Sequence, residues 1–225
     1  MKRILLAGAT LLALTAAQPT LAADAPVYKG PAPRAEALFN WSGLYIGVTA
    51  GAIWGNANWY VVAPPVVTPS VTGSGGLFGG TIGYNWQAPG SSFVFGLEGD
   101  ISWTNVTFSP IPACGANCTT RLDWLGTFRG RAGLAFGSML AYVTGGVAFG
   151  QETNSVTPGT VRDTRAGWTA GGGIEAMLGA NWTVKGEYLY VEIKDALACT
   201  AAVCGVANFA NLRAHILRGG LNYKF

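Results

Sequence analysis

The stretch from Arg121 to Phe136 constrains the fold more than any other feature, because its side chains alternate in character along its length. Alternate positions from Leu122 to Phe136 carry no charged residue, whereas the other set, from Arg121 to Ala135, carries four. A period of two puts these sets on opposite faces of a β-strand. The run is also longer than the usual strand of about 5–6 residues. The pattern predicts a long strand between an apolar and a polar environment.

The composition favours a membrane as the apolar environment. Charged residues make up only 11% of the chain, against about 25% in a typical soluble domain. No later stretch provides the roughly 20 consecutive apolar residues that a spanning helix needs. A closed β-barrel, which pairs every backbone group between strands, is the remaining way to cross a bilayer.

The amino-terminal residues resemble an export signal. Residues 1–22 combine Lys2 and Arg3 with an apolar run and a small-residue cleavage site, which predicts a secretory signal peptide. Its removal reduces Lys plus Arg from 14 to 12, against 11 Asp plus Glu, so the mature chain is nearly neutral and no nucleic-acid partner is expected. Residues 23–40 contain four prolines or glycines and predict an extended periplasmic leader.

Residues 41–225 predict an all-β fold, an eight-stranded antiparallel up-and-down transmembrane β-barrel. Short and long connections between the strands alternate, which is typical of a barrel with tight periplasmic turns and larger outside loops. The predicted strands cover residues 41–56, 75–87, 92–106, 120–137, 139–152, 163–178, 181–193 and 209–225.

The tryptophans indicate which face points outward, a question that alternation alone leaves open because soluble barrels also alternate. Seven of the eight are predicted near strand ends on the apolar face, as in the aromatic belts of membrane proteins. The chain also has 33 glycines, many of them inside strands, where they permit tight curvature. We therefore expect the apolar face to contact lipid. The seven are Trp41, Trp54, Trp86, Trp103, Trp124, Trp168 and Trp182.

Eight charged residues on the opposite faces predict an ionic belt inside the barrel. Strand pairing places Glu98 and Asp100 level with Arg131 and Arg129, Glu175 level with Lys185, and Glu187 level with Arg218. Four acids thus match four bases, as buried charges require. An eight-stranded barrel is just wide enough for side chains to fill. A polar plug is therefore favoured over a filter for ions.

His215, the only histidine, raises the alternative of a lipid-modifying hydrolase. It shares the outward phase of Leu217, near the predicted outside interface. A nucleophile would have to lie within hydrogen-bond reach of it, and the surrounding segment contains no serine. Thr49 and Ser42 on a neighbouring strand are the first candidates for that role. An interfacial polar group is favoured, and no catalytic, cofactor or metal site is predicted.

Four cysteines lie in two predicted outside loops. In an oxidising envelope, their spacing favours disulfides between Cys114 and Cys118 and between Cys199 and Cys204. Pairing across the loops and a zinc site of four thiolates remain alternatives. The loop from Ala57 to Ser74 exposes Trp59 and Tyr60, but the sequence does not specify a partner for it.

The closing strand alternates up to a terminal phenylalanine. Five motifs along the chain, PVYKGPAP, FNWSGLYIG, YVTGGVAFG, WTVKGEYLY and HILRGGLNYKF, resemble the small porin-family outer-membrane surface antigens of alphaproteobacteria. These are similar in fold to the eight-stranded membrane domain of OmpA. The resemblance implies outer-membrane localisation and insertion by the barrel-assembly machinery, with a terminal signal at Leu221, Tyr223 and Phe225.

The resemblance further implies a non-enzymatic role in envelope integrity and as a surface antigen, in contact with outer-membrane lipid and lipopolysaccharide. A narrow porin-like channel for small solutes is the main alternative. The hydrolase that would use His215 is a third possibility.

Overall fold

The computed structural model describes residues 39–61, 66–67, 70–109, 119–156, 159–199 and 208–225. The predicted signal peptide and most of the predicted leader lie outside these ranges. Within them the secondary structure consists of β-strands, eight long and two of only two residues. No helix in this part of the chain has the length and apolar character to cross a membrane. The strands are β1 (Gly43–Val61), β2 (Val66–Val67), β3 (Val71–Gln87), β4 (Phe93–Thr104), β5 (Thr107–Phe108), β6 (Thr119–Phe136), β7 (Met139–Val156), β8 (Gly159–Met177), β9 (Trp182–Cys199) and β10 (Asn208–Lys224).

The eight long strands form one closed antiparallel sheet. Each long strand pairs with the next long strand along the chain, and β10 pairs with β1 from Tyr45 opposite Lys224 to Val61 opposite Asn208. The short strands β2 and β5 pair with β1 and β6. Closure gives each of the eight long strands a hydrogen-bonded neighbour on both sides, as a strand that crosses a bilayer requires. The predicted eight-stranded up-and-down barrel is confirmed.

The two ends of the barrel differ. One end, the turn end, carries the short connections at residues 88–92, 137–138 and 178–181. Gly90 and Gly137 have φ values of 74° and 59° there, a left-handed conformation that favours glycine. At the opposite loop end most of the strands are longer than predicted, whereas β4 ends at Thr104, before the predicted residue 106. The pairing of β7 with β8 continues to Val156 opposite Gly159, so the long loop expected from Thr153 was largely wrong.

The outer wall is apolar, as the alternation predicted, and its aromatic residues concentrate at both ends. Trp54, Trp103 and Trp168 are exposed near the loop end, and Trp86 and Trp182 near the turn end. Trp124 is partly exposed on the same face. Because these side chains ring an exposed apolar wall, they form the two interfacial belts expected of a membrane barrel.

Trp41 does not lie on the outer wall, so its predicted place in the aromatic belts was wrong. Its side chain is only 1% exposed and packs inside the turn end, edge-on to the ring of Phe39 with the centroids 5.1 Å apart. The Trp41 backbone N–H donates to Gln87 Oε1 at 2.8 Å. The residue precedes β1, so strand alternation does not govern its direction, and it closes the barrel from below.

A β-bulge corrects the phase of β6. The pairing of β6 with β7 shifts between Leu122 and Trp124. Leu122 is therefore 1% exposed inside the barrel, although the alternation placed it on the outer face. Arg121 and Asp123 form an ion pair at 3.4 Å, and the Arg121 side chain is 58% exposed. The extra residue thus exchanges the two faces of β6 above the bulge.

Candidate functional site

The barrel interior is arranged in three layers. At the turn end, Phe39 and Met177 pack against a cluster of Trp41, Val94, Ala135, Leu140 and Tyr142. The eight charged residues of the predicted belt occupy the next layer, which we call the ionic layer. Toward the loop end lies a larger apolar cluster, the upper apolar layer. It comprises Ile53, Ala57, Leu77, Val106, Phe108, Leu122, Leu125, Ala148, Leu189, Val191, Ile193, Leu212, Ala214 and Ile216.

Arg129 lies at the centre of the ionic layer and is fully buried. Its guanidinium donates to Glu187 Oε1 and to Asp100 Oδ2, each at 3.0 Å, and also to Glu98. These three acids project from two different strands, β4 and β9. The planar fork of arginine suits this geometry, because it presents several donors in fixed directions.

Arg218 joins the last strand to the same acids. Its Nη1 donates to Asp100 Oδ1 at 2.9 Å, and its Nη2 lies 2.7 Å from Glu187 Oε2. Asp100 and Glu187 thus each accept from both Arg129 and Arg218. This shared pairing links β4, β6, β9 and β10 across the lumen.

The remaining charges show that facing in the sheet does not decide pairing in the lumen. Glu98 is opposite Arg129 and not Arg131 in the register of β4 and β6, which corrects the predicted level. Glu175 is opposite Lys185 in the register of β8 and β9, as predicted. Nevertheless, Lys185 Nζ donates to Glu98 Oε2 at 2.7 Å, and Glu175 Oε2 accepts from Arg131 Nη2 at 2.7 Å. Long side chains reach across the barrel as easily as to the adjacent strand.

Neutral side chains donate further hydrogen bonds to the carboxylates of the layer. The Tyr45 hydroxyl donates to Glu98 Oε2 at 2.7 Å, and the Tyr142 hydroxyl donates to Glu187 Oε1 at 3.1 Å. Thr183 and Asn222 donate to Glu175 Oε1 at 2.5 and 2.9 Å. The Arg131 guanidinium also lies 3.9 Å from the centroid of the Tyr142 ring, a cation–π arrangement. The sequence analysis did not predict these partners, although Tyr142 shares the inward phase of Glu152 on β7.

The ionic layer is electrically balanced and densely hydrogen-bonded. Its four carboxylates and four cations give a formal charge of zero. Burial of each ion is costly, and matched partners with further hydrogen bonds offset that cost. Among the described residues, no group of three or more His, Cys, Asp or Glu side chains is arranged to hold a metal ion. The layer is therefore suited to filling and fixing the lumen.

His215 faces outward at the loop end, among aromatic side chains. Its Nδ1 is 2.6 Å from the Tyr188 hydroxyl, and its ring stacks on Trp54 with the centroids 6.1 Å apart. Thr49 is buried inside the barrel, and Ser42 donates to Gln87 O at the turn end. Neither candidate nucleophile lies beside His215. The assignment of Thr49 or Ser42 as the nucleophile of a hydrolase was therefore wrong.

Comparison with known proteins identifies the family. Residues 7–225 match the model of the outer membrane protein beta-barrel domain. The chain belongs to this family. A 31 kDa outer-membrane immunogenic protein of Brucella melitensis is 34% identical over the full length of both chains. A 25 kDa outer-membrane immunogenic protein of Brucella canis is 27% identical over 100% of this chain and 99% of its own.

A solved structure supports the fold. The outer membrane protein OprG of Pseudomonas aeruginosa has a TM-score of 0.54 and 13% identity, covering 83% of this chain and 97% of its own. Family membership and fold together establish an outer-membrane localisation for this barrel protein. In this family setting, the turn end is the periplasmic end and the loop end faces outside.

The residues of the predicted assembly signal lie together on the lipid face of this outer-membrane barrel. Leu221 and Phe225 are exposed, and the Tyr223 ring contacts Phe225 and Trp182 with centroid distances of 5.2 Å. Their recognition by the barrel-assembly machinery stays a prediction. Cys114, Cys118 and Cys204 lie outside the described residues, and the Cys199 side chain is not described. Both disulfides therefore also stay predictions.

Proposed function

We propose that this protein is a sealed, non-enzymatic outer-membrane barrel that contributes to envelope integrity and presents its outer connections as surface antigens. The observation that carries the proposal is the ionic layer between two apolar layers. Eight charged side chains within the lumen bond to one another, and the apolar layers pack above and below them. The interior provides structure, which leaves the external segments as the surface for contact with other molecules.

The printed names of the Brucella relatives support the antigen role, since both are called immunogenic. Outer-membrane lipid and lipopolysaccharide are the partners of the wall in this proposal, and the barrel-assembly machinery is the partner during insertion. The surroundings of His215 support the non-enzymatic assignment, because its described contacts are aromatic rings and a tyrosine hydroxyl.

Planar-bilayer recording tests the seal. The refolded protein is expected to give no unitary current steps under conditions in which a large porin conducts. Steps whose ion selectivity changes in Arg129→Gln would establish the alternative, a channel through the ionic layer. Arg121→Gln, outside the barrel mouth, is the matched control for the loss of one positive charge.

Antibody accessibility tests the antigen role. Antibodies against residues 110–118, between β5 and β6, are expected to bind intact cells. Antibodies against residues 88–92, a turn at the opposite end, should bind only after the outer membrane is permeabilised. Binding of both antibodies only after permeabilisation would contradict surface display.

Enzymatic activity has its own test. Lipid A from cells overproducing the wild type or His215→Asn is expected to have the same acyl composition by mass spectrometry. Loss of an acyl chain with the wild type alone would show that the barrel is a hydrolase.

A further inference from the structure

A polar groove crosses the outer wall beside Trp54, at the loop end of the aromatic belt. Its larger part has a volume of about 640 Å³ and is lined by polar side chains together with Trp54 and His215. A smaller part of about 130 Å³ adjoins it and includes Arg213. Both parts are lined by Asn56, which makes them one continuous surface. This polar lining contrasts with the apolar wall between the two aromatic belts.

The strand register orders this groove into rows across β10, β1 and β3. His215, Trp54 and Ser74 are opposite one another in the first row, at the level of the belt. Arg213, Asn56 and Thr72 form the next row toward the outside. Directly opposite side chains in a sheet have Cβ atoms about 4.5–5.5 Å apart. The side chains of each row are therefore close enough together to contact one small ligand.

The first row provides an aromatic platform. The Trp54 and His215 rings are nearly parallel, with an angle of 15° between their planes, and Tyr190 lies edge-on to His215 at 5.3 Å. Trp54 remains exposed despite this stacking. An exposed, rigid aromatic surface offers an apolar face to a ligand, while the surrounding hydroxyl and amide groups offer hydrogen bonds.

The second row provides a fixed cation. Arg213 Nε donates to Glu192 Oε1 at 3.1 Å, and Glu192 Oε2 accepts from Trp168 Nε1 at 3.0 Å. The Arg213 side chain is nevertheless 59% exposed. Its bond to Glu192 uses Nε, and the guanidinium carries donor groups on both terminal nitrogens as well. Arginine presents such donors in a fork that matches phosphate oxygens.

We propose that this groove binds the phosphorylated sugar headgroup of an outer-leaflet glycolipid. The sugar ring lies against Trp54 and His215, its hydroxyls bond to Asn56, Thr72 and Ser74, and its phosphate pairs with Arg213. The height of the groove supports this occupant, because lipid headgroups lie at the level of the aromatic belt. Basic sites beside membrane-spanning segments bind anionic headgroups by the same chemistry. This inference rests on the proposed function, in which the wall contacts lipopolysaccharide, and assigns that contact a specific site.

Native mass spectrometry of the detergent-refolded, full-length mature chain tests the site. The probes are a diphosphorylated glucosamine-disaccharide lipid A, the same lipid without phosphates, and phosphatidylglycerol. One copy of the diphosphorylated lipid is expected to bind preferentially. Arg213→Gln should weaken it about tenfold, the effect of losing one charge-assisted hydrogen bond. Asn56→Asp should also weaken it, because the new carboxylate faces Arg213.

Arg121→Gln is the matched control, since Arg121 is 58% exposed and pairs with Asp123 as Arg213 pairs with Glu192. It is expected to bind lipid like the wild type. Heat-modifiable mobility confirms that each variant is folded. Unchanged affinity in folded Arg213→Gln and Asn56→Asp would overturn the proposal, as would equal binding of phosphatidylglycerol. The test of lipid binding is independent of the test of the closed lumen. A barrel that conducts ions but still prefers the diphosphorylated lipid would refute only the closed lumen.

Discussion

Within the described part of the chain, Glu152 is a buried acid without an ionic partner, at the loop end of the lumen. It is 2% exposed, and neither carboxylate oxygen has a hydrogen-bond partner within the described residues. It lies beyond the aromatic belt, opposite Leu122 on β6 and Asp163 on β8. Burial, with a smaller contribution from the neighbouring Asp163, raises the pKa of Glu152 to about 7. Asp163 is itself paired with Arg165 at 2.7 Å.

This raised pKa predicts a pH-dependent penalty. In the folded protein the carboxyl keeps its proton at pH values at which the unfolded chain, with a pKa near 4.5, has lost it. The contribution of Glu152 to the free energy of unfolding therefore falls between about pH 4.5 and pH 7. Glu152→Gln should match the wild type at pH 4 and exceed its free energy of unfolding by roughly 3 kcal/mol at pH 8. Urea unfolding in lipid vesicles measures this, and parallel pH profiles would contradict it.

The ionic layer predicts strong coupling between Arg131 and Glu175. Arg131→Met should lower the free energy of unfolding by about 3–5 kcal/mol, because it leaves a buried carboxylate without its main cation. Adding Glu175→Gln should recover part of that loss, with a coupling energy of roughly 0.5–3 kcal/mol. The exposed pair Arg121 and Asp123 is the control and should couple by less than about 1 kcal/mol. Equal coupling in the two cycles would argue against a structural role for the layer.

At the scale of the elements, β10 completes the barrel and carries the predicted assembly signal. Changing Tyr223 and Phe225 together to Ser should strongly lower the amount of heat-modifiable protein in the outer membrane. The reason is that the aromatic end of the closing strand is lost. Leu217→Ser, on the same outward face but farther from the end, is the control and should have a smaller effect. Comparable losses in both variants would mean that general lipid-face polarity, and not a terminal signal, limits assembly.

The elements also show what a sequence can specify. Alternation sufficed for eight strands and for the inward phase of residues such as Arg129 and Glu187, because a two-residue period directly encodes the faces of a strand. It could not reveal the bulge that turns Leu122 inward, since an inserted residue leaves no mark in composition. It also could not assign Lys185 to Glu98, because that pairing depends on reach across the lumen.

The upper apolar layer was missed for a different reason. Inward positions such as Leu125, Leu189 and Val191 lie on strands whose outward positions are also apolar, so both faces are apolar near the loop end. That loss of alternation was visible in the sequence as a signal for a filled lumen. The groove beside Trp54 was not visible, because it requires β10, β1 and β3 to lie side by side.

For the molecule as a whole, the three interior layers predict that disrupting one layer alone does not open the lumen to ions. Arg129→Gln alone should remain silent in planar bilayers, because the apolar layers still exclude water and ions. Leu125→Gly with Ile193→Gly should also remain silent, because the ionic layer stays packed. Combining all three substitutions should permit measurable current in the fraction that folds. Current from Arg129→Gln alone would show that the apolar layers do not seal the barrel.

The bond between Arg218 and Asp100 joins residues 118 positions apart in the chain. A chain that terminates before β10 would leave Asp100 and Glu187 without one of their two arginines and β1 without its closing partner. Such a product would keep unmatched charges and an unpaired strand edge accessible in the periplasm, which are features of an unfolded substrate for proteases. We therefore expect the interior pairing to mark complete chains, because a truncated copy lacks the contacts that would protect the full-length barrel from proteases.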